Sequence, residues 1–529
     1  MNPKLFTPRS VLALTALISG PLHAAVKPNP LFTDGAVLQR GQPVPVWGTA
    51  RDGEKVTVEL NSQKVTTTTA ADGKWSVNLK PLKAGGPFAM TITGDNAVTV
   101  NNLLVGEVWV CSGQSNMEFP FAQTHNAKEE GPKAAFPKIR MFTAQHKTSI
   151  KPLAEAVGAW VECSPETVDS FSAVGYFFAR DLYQKLGIPI GMIHTSWGGS
   201  PAQAWTSLEG FGAAPELQGY VAAASRKLAN YDAAAAAYPA LLEEFKSKNK
   251  EWNETIGQSY KEALKAWDEA TAQAKQAGQP LPPKPAPTSP QPKQPAGLEG
   301  GHNDATTLYN GMLAPLIPYG IKGAIWYQGE ANASQAKQYR TLFPAMIADW
   351  RARWKQGDFP FCFVQIAPYN DQPPEIREAQ FLTLATVKNT AMAVTTDVGD
   401  AADIHPTQKE PVGQRLALAA RALAYGEKIE CSGPLYDSML AKGGKIAIRF
   451  KHIGGGLIAK NGELKGFTIA GADQQFVPAQ AKIQGAAIIV SAEGVADPKA
   501  VRYGWANVPD VNLFNQEGLP ASPFRTDVD

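Results

Sequence analysis

Between residue 106 and about residue 426 the chain keeps repeating one pattern, a short apolar run followed by a stretch with helical spacing. The apolar runs cover residues 108–111, 188–194, 323–327, 361–366 and 391–395, and the helical stretches include 176–186, 335–354 and 412–424. A run that is apolar throughout, rather than at every second residue, needs cover on both faces of its sheet, and intervening helices supply it. The pattern therefore predicts an α/β domain built on a parallel sheet.

The flanks read differently. Residues 26–102 are short alternating stretches cut by turn residues, such as Lys55-Val-Thr-Val-Glu-Leu and Asp72-Gly-Lys-Trp-Ser-Val, which predicts a β-rich domain over 25–105. Alternation returns after Cys431, at 445–450, 467–469 and 487–490, giving a second β-rich unit over 431–529. The α/β domain is thus expected over 106–430, interrupted by an insertion at 208–301. There Ala, Lys, Glu and Gln dominate residues 220–277, and eight prolines crowd between Pro280 and Pro295. The first part should be helical and the second an extended connector. As a whole the insertion reads equally well as a surface excursion and as a lid beside a site. With 529 residues and a usual ~150 per domain, three to four units fit the length.

Lys4 and Arg9 precede the apolar run 11–18, and Gly20, Pro21 and the small pair Ala24-Ala25 follow it. This order predicts a signal peptide over 1–24, cleaved after Ala24, and a periplasmic or secreted product. The run is too short for the ~20 apolar residues of a membrane span. Without Lys4 and Arg9 the chain carries 48 basic against 48 acidic residues, so no net charge draws it to nucleic acid or to a membrane surface. Export permits disulfides, but Cys111 and Cys362 lie in runs that read as buried strands, where a free thiol packs as a small apolar group. Free cysteines are therefore expected over pairing among Cys111, Cys163, Cys362 and Cys431.

No Gly-x-Ser-x-Gly elbow, His-Glu-x-x-His or Walker loop is present, and the seven histidines do not cluster with carboxylates at metal spacing. Gly454-x-Gly456-x-x-Ala459 has no helix pattern after it and reads as a hairpin turn rather than a dinucleotide site. Chemistry is found instead at strand ends. Ser115 follows the first α/β strand in Glu107-Val-Trp-Val-Cys-Ser-Gly113-Gln114-Ser115-Asn116-Met117, on the edge where open α/β sheets bind ligands. A serine needs a base to take its proton, and Asp403-Ile404-His405-Pro406, after the strand at 391–395, supplies a His with a carboxylate two residues away. Two further strand-end loops, Thr195-Ser-Trp197-Gly198-Gly199-Ser200 and Trp326-Tyr327-Gln328-Gly329-Glu330-Ala-Asn332, offer backbone and amide donors for an oxyanion.

Taken in chain order, these four segments resemble the SGNH (GDSL-like) hydrolases of the sialate O-acetylesterase type, carbohydrate O-acetylesterases that include bacterial xyloglucan and hemicellulose acetylesterases. The resemblance extends over the β-rich flanks to Asn512-Leu-Phe-Asn-Gln-Glu-Gly-Leu-Pro. It implies an α/β SGNH-type three-layer sandwich, flanked by β-sandwich-like units and carrying the helical and Pro-rich insertion. It also implies Ser115 as nucleophile, His405 as general base and then acid, and Asp403 as the residue that orients His405. The oxyanion hole would combine the Ser115 N–H, a glycine N–H at Gly198 or Gly199, and an amide at Gln328 or Asn332. Two departures from the wider superfamily leave choices open. One residue separates Asp403 from His405 where the superfamily has two, so Asp400 and Glu330 remain possible partners, and Gln328 precedes Gly329 where the superfamily has an Asn after Gly. Trp197, Trp205 and Tyr327 lie near these loops, where each could stack on a sugar or belong to the core.

The implied function is an exported serine esterase that removes O-acetyl groups from hemicellulose such as xyloglucan or xylan through an acetyl-enzyme, without metal or cofactor. Its partner is then an O-acetylated glycan. An alternative is a sialate O-acetylesterase, although the four motifs hold no Arg or Lys cluster for a sialate carboxylate. From another class, a non-catalytic carbohydrate-binding protein is countered by the intact Ser115, Asp403 and His405. A glycosidase would need two carboxylic acids where the motifs offer only Glu330.

Overall fold

A computed structural model describes residues 25–295 and 297–527. The expected signal peptide lies outside the described residues. Around the centre runs a sheet whose strands lie in the order Trp160–Cys163, Phe136–Thr143, Ile190–His194, Ala97–Gly113, Gly323–Tyr327, Phe361–Val364 and Thr390–Ala393. All neighbours are parallel except the antiparallel edge pair Trp160–Cys163 with Phe136–Thr143. The five runs read from sequence each form a strand. Phe136–Thr143 was not among them because Pro137, Lys138 and Arg140 break its apolar pattern. Arg140 is nonetheless buried, its guanidinium hydrogen-bonded to Gly35 O and Asn102 Oδ1.

Alternate residues of these strands meet helices on opposite faces. Trp326 and Phe363 are register partners, and Phe343 of the helix Ala336–Trp354 packs against both. One residue along, Cys111 approaches Gly175 of the helix Ala173–Leu186, and Trp109 meets Phe178 edge-to-face and bonds Tyr425 at the end of the helix Glu410–Tyr425. Helices therefore cover both faces, which is why the strands tolerate continuous apolar sequence. The four cysteines are free, with Cys111, Cys163 and Cys362 buried.

The strand Ala97–Gly113 is 17 residues long and belongs to two units at once. Its first half pairs with Gly85–Thr93, and its second half enters the parallel sheet. The boundary expected at 105/106 falls inside it. One continuous hydrophobic core accordingly runs from Val26 through the parallel sheet to Leu435. The C-terminal strands hold a separate core around Ile448, Ile488, Val501 and Tyr503. The insertion forms helices Gln218–Trp252 and Gln258–Ala277, which bury almost nothing, and residues 280–295 carry no regular structure.

Candidate active site

Chain order reverses at Ala97–Gly113: strands that follow it in sequence lie on both its sides, and at such a switch point the loops part to leave a crevice. Gly113 ends the strand with φ +142°, and a Cβ there would sit 2.1 Å from Tyr327 O, so only glycine fits. The chain then turns into the short helix Ser115–Glu118. Because the neighbouring strands are parallel, the loops carrying Trp197, Gln328 and His405 emerge on the same edge.

Ser115 Oγ lies 2.8 Å from His405 Nε2, although 290 residues separate them. The contact to Asp403 is looser. Its Oδ1 accepts the backbone N–H of His405 at 2.8 Å and lies 3.7 Å from Nδ1, beyond hydrogen-bond length, with the carboxylate side chain 60% exposed. The other two carboxylates considered are engaged elsewhere: Asp400 caps the N–H groups of Ala402 and Asp403, and buried Glu330 accepts from Asn116 Nδ2 at 2.6 Å. Burial, and then the nearby charge of Lys409, lower the pKa of His405 against the smaller opposing pull of Asp403. The ring stays neutral and able to accept a proton.

The expected oxyanion donors divide. The N–H groups of Ser115 and Gly199 have no hydrogen-bond partner among the described residues. The Gly198 N–H donates to Glu118 Oε2 at 2.5 Å. The amide donors proposed at Gln328 and Asn332 need correction. Gln328 is fully buried; its Nε2 donates to Asn332 Oδ1 at 2.8 Å and Ser200 O at 3.3 Å, and its Oε1 accepts from Tyr339. Asn332, also buried, donates to Gln203 and accepts from the Ala202 N–H. Buried amides must be hydrogen-bonded, and these two satisfy each other while holding the loop 197–203 in place.

The two aromatic platforms need the same correction. Tyr327 has no exposed surface. Trp197, only partly exposed, already stacks on two near-parallel rings, His146 at 4.1 Å and His302 at 5.2 Å, rather than standing free as a sugar platform. Trp205 is core, its indole N–H bonded to Ser200 Oγ at 2.8 Å.

Ser115 and His405 instead open onto a cleft of about 410 Å³ walled by Glu118, Phe119, Pro120, Gln123 and Ser170. Two larger hollows, of about 600 and 590 Å³, lie under the insertion and beside the N-terminal β unit, and neither holds a nucleophile with a base. Sequence reading missed Glu118. It lies one helical turn after Ser115, a spacing that puts both on one face. Burial pushes its carboxyl up, but His146, 3.1 Å away, and the Gly198 N–H outweigh this and hold it below its usual range, so it is ionised. Its hydrogen bond to His146 in turn raises that imidazole's pKa. Nothing local in the sequence signals His146, which arrives through the fold. Among the described residues no three His, Cys, Asp or Glu side chains converge where they could hold a metal ion.

The family described as carbohydrate esterase, sialic acid-specific acetylesterase, matches residues 301–422, a span that includes His405 and excludes Ser115. The sialate O-acetylesterase of Rattus norvegicus is 31% identical over 443 residues, 74% of this chain and 72% of its own. That of Homo sapiens is 30% identical over 438 residues, covering 74% and 70%. A crystal structure of a carbohydrate acetylesterase from Xanthomonas citri superposes with a TM-score of 0.77 at 35% identity, covering 96% of this chain and all of that one.

Proposed function

Because the chain belongs to the sialate O-acetylesterase family of carbohydrate esterases, we propose that it hydrolyses acetyl esters of neutral sugars, such as those of hemicellulose, with Ser115 as nucleophile and His405 as base. The observation that carries this is the 2.8 Å contact of Ser115 Oγ with His405 Nε2 at the cleft. Nε2 takes the hydroxyl proton as Oγ bonds to the acetyl carbon, and the carbonyl electrons move to oxygen. The unpartnered N–H groups of Ser115 and Gly199 are available to that oxyanion. Collapse expels the sugar oxygen, which takes the proton from the imidazolium. Water then repeats the sequence on the acetyl-enzyme, releasing acetate and restoring Ser115. The three-layer SGNH arrangement is part of this reading, supported by the sheet order and by helices on both faces.

The cleft wall favours a neutral sugar. It contains Glu118, already engaged by His146 and the Gly198 N–H, and no Lys or Arg, so the wall offers no such side chain to pair with a substrate carboxylate. The second reading, an O-acetylated sialic acid, draws on the specificity named for the matching family and for its mammalian relatives. Acetate release from acetylated xylan and xyloglucan fragments, acetylated sialic acid and a small aryl acetate separates the two. Faster release from the neutral sugars supports the first reading, and faster release from the sialate establishes the second. Ser115→Ala is expected to lose activity about 10,000-fold or more on every substrate; activity near wild type would overturn the assigned nucleophile. Export to a periplasm or medium is proposed from the leader-like residues 1–24, and N-terminal sequencing of the recovered protein should begin at Ala25.

A further inference from the structure

A base that must stay in reach of a hydroxyl needs its loop held, and the carboxylate beside it does not do so. Asp403 is 3.7 Å from the His405 ring nitrogen, and its 2.8 Å bond is made to the backbone N–H of its own turn. One buried side chain instead joins the nucleophile's turn to the base's loop. Asn116, the residue after Ser115, donates from Nδ2 to the carbonyl oxygen of Ile404 at 3.0 Å and to Glu330 Oε1 at 2.6 Å. Its Oδ1 accepts from Lys409 Nζ. Ile404 immediately precedes His405 and Lys409 lies four residues beyond it, so this amide grips the loop on both sides of the base. Lys409 is wholly buried, its ammonium 4.7 Å from the centre of the Phe119 ring and 5.4 Å from that of Tyr327. With both amide hydrogens and the carbonyl engaged, Asn116 is confined to one orientation.

We infer that Asn116 and Lys409 are positioning residues. The Asn116 amide fixes the His405 backbone relative to Ser115, and the Lys409 ammonium fixes that amide and sets the electrostatic field at the His405 ring. This assignment rests on Ser115 and His405 being nucleophile and base. The field is consistent with the direction of the His405 shift, in which the charge of Lys409 is second only to burial. Lys409 is itself pulled down to about 7 by burial, against the opposing charges of Glu330 and Asp403. It is therefore cationic over the acid range in which His405 titrates.

Two substitutions test the pair on a small aryl acetate, which needs no glycan contacts. Asn116→Asp keeps the shape and removes the donors; a displaced base should lower kcat by about 10- to 100-fold with KM within about threefold. Lys409→Met keeps the length and removes the charge. The acid limb of its kcat/KM profile should move to higher pH, because the imidazolium no longer faces a cation, and Lys409→Arg should return the limb towards wild type. Near-ultraviolet circular dichroism and thermal unfolding accompany each variant. If the carboxylate placed beside Glu330 prevents folding, Asn116→Ala takes the place of Asn116→Asp with the same expected loss. Wild-type kcat in the Asn116 variant, or an unmoved acid limb in Lys409→Met, overturns the inference. Full activity in Ser115→Ala and His405→Ala would overturn the underlying assignment instead, so the two failures are distinguishable.

Discussion

In the proposed reaction His405 must be neutral to accept the serine proton, and both burial and the Lys409 charge favour that form. Since these lower its pKa, the neutral fraction persists below the ordinary histidine value of about 6.5. The acid limb of kcat/KM should therefore have its midpoint under that value, and a midpoint at or above it in a pH–rate profile would contradict the environment described. Asp403 is exposed and 3.7 Å from the ring, so its charge is screened by water. Asp403→Asn should reduce kcat/KM by about 10- to 100-fold, well short of the ~10,000-fold that follows loss of a buried, hydrogen-bonded carboxylate partner. A loss as large as that of Ser115→Ala would show that the contact tightens in the reacting complex. Ser115, Asp403 and His405 could be singled out as candidates from sequence because each is chemically distinctive beside a strand end. Glu118 and Asn116 could not be given roles, since a Glu or Asn is defined by its partners, here His146, Gly198, Ile404 and Lys409.

At the scale of elements, the site depends on how tightly one strand turns. Gly113 combines a left-handed backbone with contact to Tyr327 on the neighbouring strand, so a methyl group there has no room. Gly113→Ala should lower unfolding free energy by about 3 kcal/mol or more, measured by chemical denaturation, and should abolish esterase activity by displacing Ser115. An active variant of wild-type stability would mean that the turn can relax. The parallel strands were readable because continuous apolar runs have few other uses. Phe136–Thr143 was not, because Arg140 reads as a surface residue until the fold supplies acceptors for its guanidinium. The helix Pro374–Thr386 was also missed. It buries polar Arg377 and Gln380, which blur its apolar stripe.

Across the whole molecule, two kinds of junction hold the units together. The N-terminal β unit shares its core and a continuous strand with the parallel sheet. The C-terminal unit keeps its own core and docks through polar contacts: Arg525 to Glu378 and Arg377 to Ala506 O on the helix Pro374–Thr386, and Ser522 to Gln365 just after the strand Phe361–Val364. Glu378 also meets Arg340, so its removal takes one shared carboxylate from two guanidinium groups in a largely buried place. Glu378→Ala should lower stability by about 2 kcal/mol in thermal or chemical unfolding, with kcat on a small ester little changed; an unchanged midpoint would show that apolar contact alone seats the unit. Sequence by itself determined the alternating layers, the β flanks, the helical insertion and the identities of a serine, a histidine and an aspartate at strand ends. These follow from hydrophobic period and side-chain chemistry, which are local properties. Only the tertiary structure decided that Gln328 and Asn332 bond each other, that Tyr327 is buried and Trp197 stacks on two histidines, and that Asn116 grips the loop of His405. Whether a polar or aromatic group is free to meet a substrate depends on which distant residues have already satisfied or covered it, and that is settled only when the chain packs.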